Sequence, residues 1–151
     1  MKITKLTEQV KNPERVNVFV DEKYLFSLDI SQIIDLKIKV GREICQQELE
    51  YLKQASLFGK LYSRSLKYAL IRPRSIREMK DYLWRLTQPK LAQNGKKQVT
   101  YPSFLAEKVL ERLIQKNYIN DQIFAKFWIT NRNQRKGIRE RKLIQELSKK
   151  A

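Results

Sequence analysis

Pro73, Ser75 and Glu78 constrain this chain more than any other feature of its sequence. Proline disfavours helical geometry in the residue before it, so a helix arriving through "KLYSRSLKYALI" has to stop by Arg72. Ser75 can cap a new helix, and Glu78 three residues on completes a capping box. Beyond it Ile76, Met79, Tyr82, Leu83 and Leu86 recur at helical spacing as one apolar stripe. The same few residues hold Arg72, Arg74 and Arg77. A helix N-terminus is the positive end of a dipole and favours acids. Because Ser75 and Glu78 satisfy the start by themselves, the arginines predict a clamp for a phosphate or carboxylate.

Helical periodicity extends over the rest of this half. Tyr62, Leu66, Ala69 and Leu70 are expected on one face of the helix before Pro73. An insert from Thr87 to Ser103, with two prolines and a glycine, reads as an exposed loop. Leu105, Val109 and Leu113 then share a face, with Ala106, Leu110 and Ile114 beside them, and Asn117 suits a left-handed stop. Asn120 caps a further helix and Asp121 is its first-turn acid. There Phe124 and Trp128, and Ile123 and Phe127, are spaced for packing rather than for a cofactor. Gly137 breaks the chain before a last basic helix with Leu143, Ile144 and Leu147 as its apolar strip. Helix, breaker and basic helix thus occur twice, with Pro73 and Gly137 as the breakers. Two helices with aromatic faces call for a third, so the chain is expected to continue past Ala151 or to borrow a neighbour's surface.

Before residue 30 the period is two. Val16, Val18 and Val20 fall on one face of a strand, and Tyr24, Phe26 and Leu28 on one face of the next. A three-residue connection, Asp21-Glu22-Lys23, joins them without the glycine that usually helps. "KITKLTEQV" supplies a third strand, "ISQIIDL" a short helix, "KVG" a turn, and "CQQELEYLKQA" a second helix with Leu49 and Leu52 aligned. This front region reads as a structural or partner-docking module.

The formal net charge is +16, and it is partitioned. Residues 1–58 hold nine Lys and Arg against nine Asp and Glu, whereas residues 59–151 hold 23 against seven. The second part therefore carries the whole surplus and calls for a polyanionic partner. The chain contains no histidine and a single cysteine, Cys45, which removes the usual general base and any cysteine-rich metal site. No phosphate-cradling glycine loop occurs. These absences predict a protein that is not an enzyme and uses no metal or cofactor. No apolar run suits a signal peptide or a membrane span, which predicts a cytoplasmic location.

Two basic clusters are candidate contacts. On the helix after Pro73, Arg77, Lys80 and Trp84 lie together, away from the apolar stripe, and join Arg72 and Arg74. Trp84 suits a stacked base, a protein contact, or packing under the long insert. Arg132, Arg135, Lys136, Arg139, Arg141 and Lys142 form the second cluster, where helix, breaker and helix meet. Reversal of Arg72, Arg74 and Arg77 to Glu is expected to keep the fold and remove most binding. The residues alone thus describe a basic helical module for a polyanion. The reading is mostly α, with tandem three-helix repeats preceded by a small β-rich α+β unit: 1–58, a first repeat 59–119, and a partial second repeat 120–151.

"ALIRPRSIREMKDYL", "VLERLIQKNYINDQIFAKFWI" and "RKGIRERKLIQEL" resemble the signature of RecX, the bacterial regulator of the RecA recombinase. "VNVFVDEKYLFSLDI…LKIKVG" resembles the N-terminal extension of that family. The resemblance implies an elongated, basic molecule of three-helix repeats that lies along the RecA–DNA filament. It implies inhibition of filament growth, ATP hydrolysis and strand exchange, without catalysis of its own, by a monomer whose partners are the filament and its single- or double-stranded DNA. Arg72, Arg74, Arg77, Arg135, Lys136 and Arg139 fall where the family has basic surface. The insert replaces a short turn, Asn117 stands where glycine is common, and a third repeat and the last helix of the second are absent, so weaker inhibition is expected. The alternative from another class is a sequence-nonspecific DNA- or RNA-binding module with no recombinase partner.

Overall fold

The structure, a computed structural model, describes residues 1–88, 101–136 and 140–150, with the side chains of 132–136 and 140 left outside the description. Most of the insert, Gly137 and Arg139 therefore lie outside the described residues. The chain divides into two compact units, Met1–Lys60 and Leu61–Ala151.

The first unit opens with a three-stranded antiparallel sheet in the order β1 (Ile3–Glu8), β2 (Arg15–Val20), β3 (Lys23–Asp29). Val18 and Val20 are buried against Phe26 and Leu28, as period two requires, while Val16 is half-buried and Tyr24 exposed. A bulge between Val18 and Phe19 accounts for Tyr24: it shifts the register so that Tyr24 pairs with Phe19, ring edge to face at 5.9 Å. The connection is shorter than the sequence suggested. Lys23 pairs with Val20, leaving a two-residue turn with Asp21 at φ 48° and Glu22 at φ 67°. Positive φ at both central residues is the type I′ geometry that matches strand twist. Neighbouring β1 holds it without glycine: the Lys2 amide donates to Asp21 Oδ1 (3.1 Å), and the Glu22 amide donates to Thr4 Oγ1 (2.9 Å).

Helix α1 (Ile30–Asp35) follows β3 directly through a capping box of Asp29 and Gln32. One continuous helix, α2 (Gln46–Ile71), then takes the place of the two helices expected there. Gly59 is the reason. A Cβ at that position would meet Gln32 Oε1 at 2.7 Å and Asp29 Oδ2 at 3.0 Å, so this glycine permits α1 to approach and does not interrupt the helix. Gln32 Nε2 reaches across to the Ala55 carbonyl at 2.8 Å. Ile3, Val18, Val20, Phe26, Leu28, Ile38, Ile44, Leu49 and Leu52 form the core beneath.

The second unit contains the remainder of α2, then α3 (Ile76–Thr87), α4 (Ser103–Gln115), α5 (Asp121–Lys136) and α6 (Glu140–Lys150). Together with the small sheet in front, these helices make the mostly α architecture that the periodicities describe. Met79, Leu83 and Leu86 bury the stripe of α3, and Leu105, Val109 and Leu113 that of α4. Phe124 is fully buried, and the Trp128 ring lies 6.1 Å from it, centroid to centroid. The α2 stripe is rotated from the expected one. Leu61, Ser65 and Ala69 form the buried line, while Leu70 is exposed. A serine hid that line from hydrophobic periodicity, and its hydroxyl is satisfied by the Leu61 carbonyl at 2.8 Å. Asn117 takes φ 60° after α4, and the Tyr118 and Asn117 amides return to the Leu113 and Ile114 carbonyls, both at 3.0 Å. Asn120 Oδ1 caps α5 by accepting from the amides of Gln122 (2.8 Å) and Ile123 (3.2 Å).

Candidate nucleic-acid interface

At the start of α3 the Ser75 hydroxyl accepts from the Glu78 amide at 3.0 Å, as a cap should. It also donates to the Lys150 carbonyl of α6 at 2.6 Å. The Ile76 amide donates to Asp121 Oδ1 at 2.9 Å, so this carboxylate serves the first turn of its own helix and that of α3. The first free amide of α3 thus already has an anion, supplied from 45 residues away in sequence.

The arginines have theirs as well. Arg72 Nη2 lies 2.8 Å from Glu78 Oε2, and Arg74 Nη1 lies 3.5 Å from the same oxygen. The Glu78 carboxylate, expected to close the capping box, turns to the two guanidinium groups instead. The Arg74 guanidinium also stands 3.8 Å above the Tyr68 ring and donates through Nε to the Tyr68 carbonyl at 3.2 Å. Tyr68 in turn stacks on Tyr82 with centroids 4.0 Å apart and the planes within 2°. Arg85 lies over the Tyr82 ring at 5.9 Å. This column of cation, ring, ring and cation ties α2 to α3, and nothing in the local sequence around Tyr68 or Tyr82 announces it.

Two expectations change accordingly. The external clamp built from Arg72, Arg74 and the helix N-terminus is occupied by the chain's own Glu78 and Asp121. Reversal of Arg72 and Arg74 to Glu would place three carboxylates at one joint, so that variant tests folding and not the surface. Arg77 and Lys80 behave differently. Both are exposed, and neither forms an ion pair among the described residues. Trp84 sits one turn beyond Lys80 with 63% of its surface open, and most of the insert that it could also pack under lies outside the described residues.

The second cluster is placed in part. Arg132, Arg135 and Lys136 belong to the end of α5, but their side chains, like Arg139 as a whole, lie outside the described residues. Arg141 and Lys142 are exposed in the first turn of α6. Between the two helices the Trp128 Nε1–H donates to Glu146 Oε2 at 3.0 Å, and Lys150 Nζ stands 4.2 Å above the indole. Lys149, off the apolar strip of α6 as its spacing predicts, is exposed, and so is Lys126, which sequence reasoning had not singled out.

A buried cation in the first unit also went unread. Arg15 is 5% exposed, donates to Asp29 Oδ1 and to the Ser27 carbonyl, both at 2.8 Å, and to Ser27 Oγ at 3.1 Å. Beside it, burial first and the Arg15 charge second hold the Lys60 ammonium below its ordinary value of 10.5. Arg15 therefore organises the sheet and α1, and is no surface contact.

Residues 1–45 match the family model described as the regulatory protein RecX N-terminal domain. The chain is 35% identical over 128 residues to the regulatory protein RecX of Listeria welshimeri serovar 6b, an alignment that covers 85% of this chain and 43% of that protein. It is 32% identical over 148 residues to the regulatory protein RecX of Bacillus subtilis strain 168, covering 98% of this chain and 51% of the relative. The chain thus spans about half the length of the curated relatives it matches. A crystal structure of regulatory protein RecX superimposes with a TM-score of 0.68 at 23% identity, covering 98% of this chain and 73% of that one, which establishes likeness of fold. Among the described residues no helix is long and apolar enough to cross a membrane.

Proposed function

We propose that the chain is a member of the RecX family, which its likenesses to RecX proteins support, and that it is a regulator that binds a RecA-type recombinase filament on DNA and restrains filament growth, ATP hydrolysis and strand exchange. The observation that carries this reading is the partition of charge. The surplus of +16 lies entirely after residue 58, and Arg77, Lys80, Arg141 and Lys142 hold part of it at the surface without ion pairs among the described residues. A filament offers such a surface DNA phosphates together with acidic protein. Its reach over many subunits suits a segmented helical binder of the kind proposed for residues 59–119 and 120–151.

Arg77, Lys80 and Trp84 make one contact, and Arg132, Arg135, Lys136, Arg139, Arg141 and Lys142 the other. Arg72 and Arg74 hold the joint that orients the first. The neutral unit 1–58 serves as a docking or structural module. Inhibition is steric and needs no catalytic group, and long-range attraction speeds encounter. The protein works as a monomer in the cytoplasm.

The test is recombinase ATPase activity on single-stranded DNA, titrated with this protein. A dose-dependent fall in turnover, with tighter binding to recombinase-coated than to bare DNA at equal salt, is the expected result. Normal turnover at saturating protein overturns the proposal. Equal affinity for coated and bare DNA, falling steeply with salt, identifies a nucleic-acid-binding module with no recombinase partner.

A further inference from the structure

Trp84 is the feature that attraction to phosphates does not explain. Indole is among the most apolar large surfaces a protein owns, and leaving it in water forfeits a substantial burial energy. Here 63% of the residue is open, on a helix whose other flank is fully engaged through Tyr82 and Glu78. Arg77, Lys80 and Trp84 stand at i, i+3 and i+7, three successive turns of one exposed flank. The cations occupy the two N-terminal turns, and the uncharged ring occupies the last turn. The neighbouring Asp81 is exposed and forms no ion pair with them among the described residues.

That order of groups has a matching ligand. Phosphates want the cationic end, and a flat uncharged π-face wants the indole. A duplex cannot offer both, because its bases are stacked on one another and present only edges. An unpaired strand carries phosphate and free base face within one nucleotide. The mount is also rigid: the Tyr68–Tyr82 stack and the Arg72–Glu78 pair lock α3 to α2, so little order has to be gained on binding.

We propose that Arg77, Lys80 and Trp84 form a binding site for single-stranded nucleic acid, in which Trp84 stacks on an unpaired base while Arg77 and Lys80 hold the flanking phosphates. The site deepens the filament reading, since it rests on the basic helices meeting a nucleoprotein partner, and it names the strand state they read there.

The experiment uses the full chain with three probes at one salt concentration: a thymidine oligonucleotide, an abasic strand of equal length, and the corresponding duplex. The base-bearing strand should bind about tenfold more tightly than the abasic one, with quenching of tryptophan emission. Trp84→Ala should abolish that ratio while the abasic affinity and far-UV circular dichroism stay as they are, and Trp84→Phe should restore part of it. Equal affinity for the base-bearing and abasic strands overturns the proposal, as does tighter binding of the duplex. So does a Trp84→Ala variant that loses recombinase inhibition while the strand ratio is unchanged, which assigns the indole to a protein surface. Normal recombinase turnover together with an intact, Trp84-dependent strand ratio supports this site and overturns the filament reading alone.

Discussion

Asp21 and Glu22 show how a single turn is held against its own preference. Left-handed geometry costs an ordinary residue roughly 1–2 kcal/mol, and Asp bears it better than Glu. The Lys2 and Thr4 bonds offset that strain through the Glu22 amide and the Asp21 carboxylate, not through the Glu22 side chain. Glu22→Gly should therefore stabilise the protein by about 0.5–1 kcal/mol, read as a higher denaturation midpoint. Lys60 makes the opposite case. Its folded-state pKa lies below 10.5, so the unfolded chain binds the proton more tightly. Stability therefore rises with pH as Lys60 loses its proton in the folded state, up to the unfolded value. Lys60→Met should raise the thermal midpoint near neutral pH, with the gain shrinking as the pH approaches 10.5. A gain independent of pH would assign the effect to packing instead. Neither residue stands out in the sequence: Glu22 lies in a plain charged tripeptide, and Lys60 resembles any surface lysine until Arg15 is seen beside it.

Helix continuity and helix starts are decided by contacts that span elements. In an isolated helix Gly59→Ala would gain up to about 1 kcal/mol. Here the new Cβ falls 2.7 Å from Gln32 Oε1, on a side chain pinned to Ala55 at 2.8 Å and to the Asp29 amide at 3.1 Å. Overpacking of that kind costs roughly 1–3 kcal/mol, so a net loss of about 1 kcal/mol is expected in urea unfolding. The α3 start is the second case. Ser75→Ala removes the acceptor of the Glu78 amide and the donor to the Lys150 carbonyl. It should lower stability by about 1–2 kcal/mol, seen as an earlier loss of helical circular dichroism on heating. The cap itself was legible, since Ser75 and Glu78 are three residues apart. The other acceptors are not. Asp121 is 45 residues from Ile76 and Lys150 is 75 from Ser75, and no local pattern links either pair.

For the molecule entire, the question is which of its many cations face outward. Arg77→Glu with Lys80→Glu leaves every ion pair of the described residues intact and removes two candidate phosphate contacts. Circular dichroism should be unchanged, affinity for DNA should fall, and the slope of log affinity against log salt should flatten by roughly 1.5. An unchanged slope would remove α3 from the interface. Period-two strands, the α3 and α4 stripes, the stop at Pro73, the turn at Asn117, the cap at Asn120 and the confinement of charge to the second part were all open to reading from the sequence. Each depends on residues within a turn or two of one another, or on composition alone. The burial of Ser65 and the passage of α2 past α1 at Gly59 were settled only when distant segments met, and the pairing of Arg74 and Arg72 with Glu78, four and six residues on, only when the chain turned at Pro73. An arginine reads the same along the chain whether it faces solvent or a glutamate, and folding alone decides which cations remain for a partner.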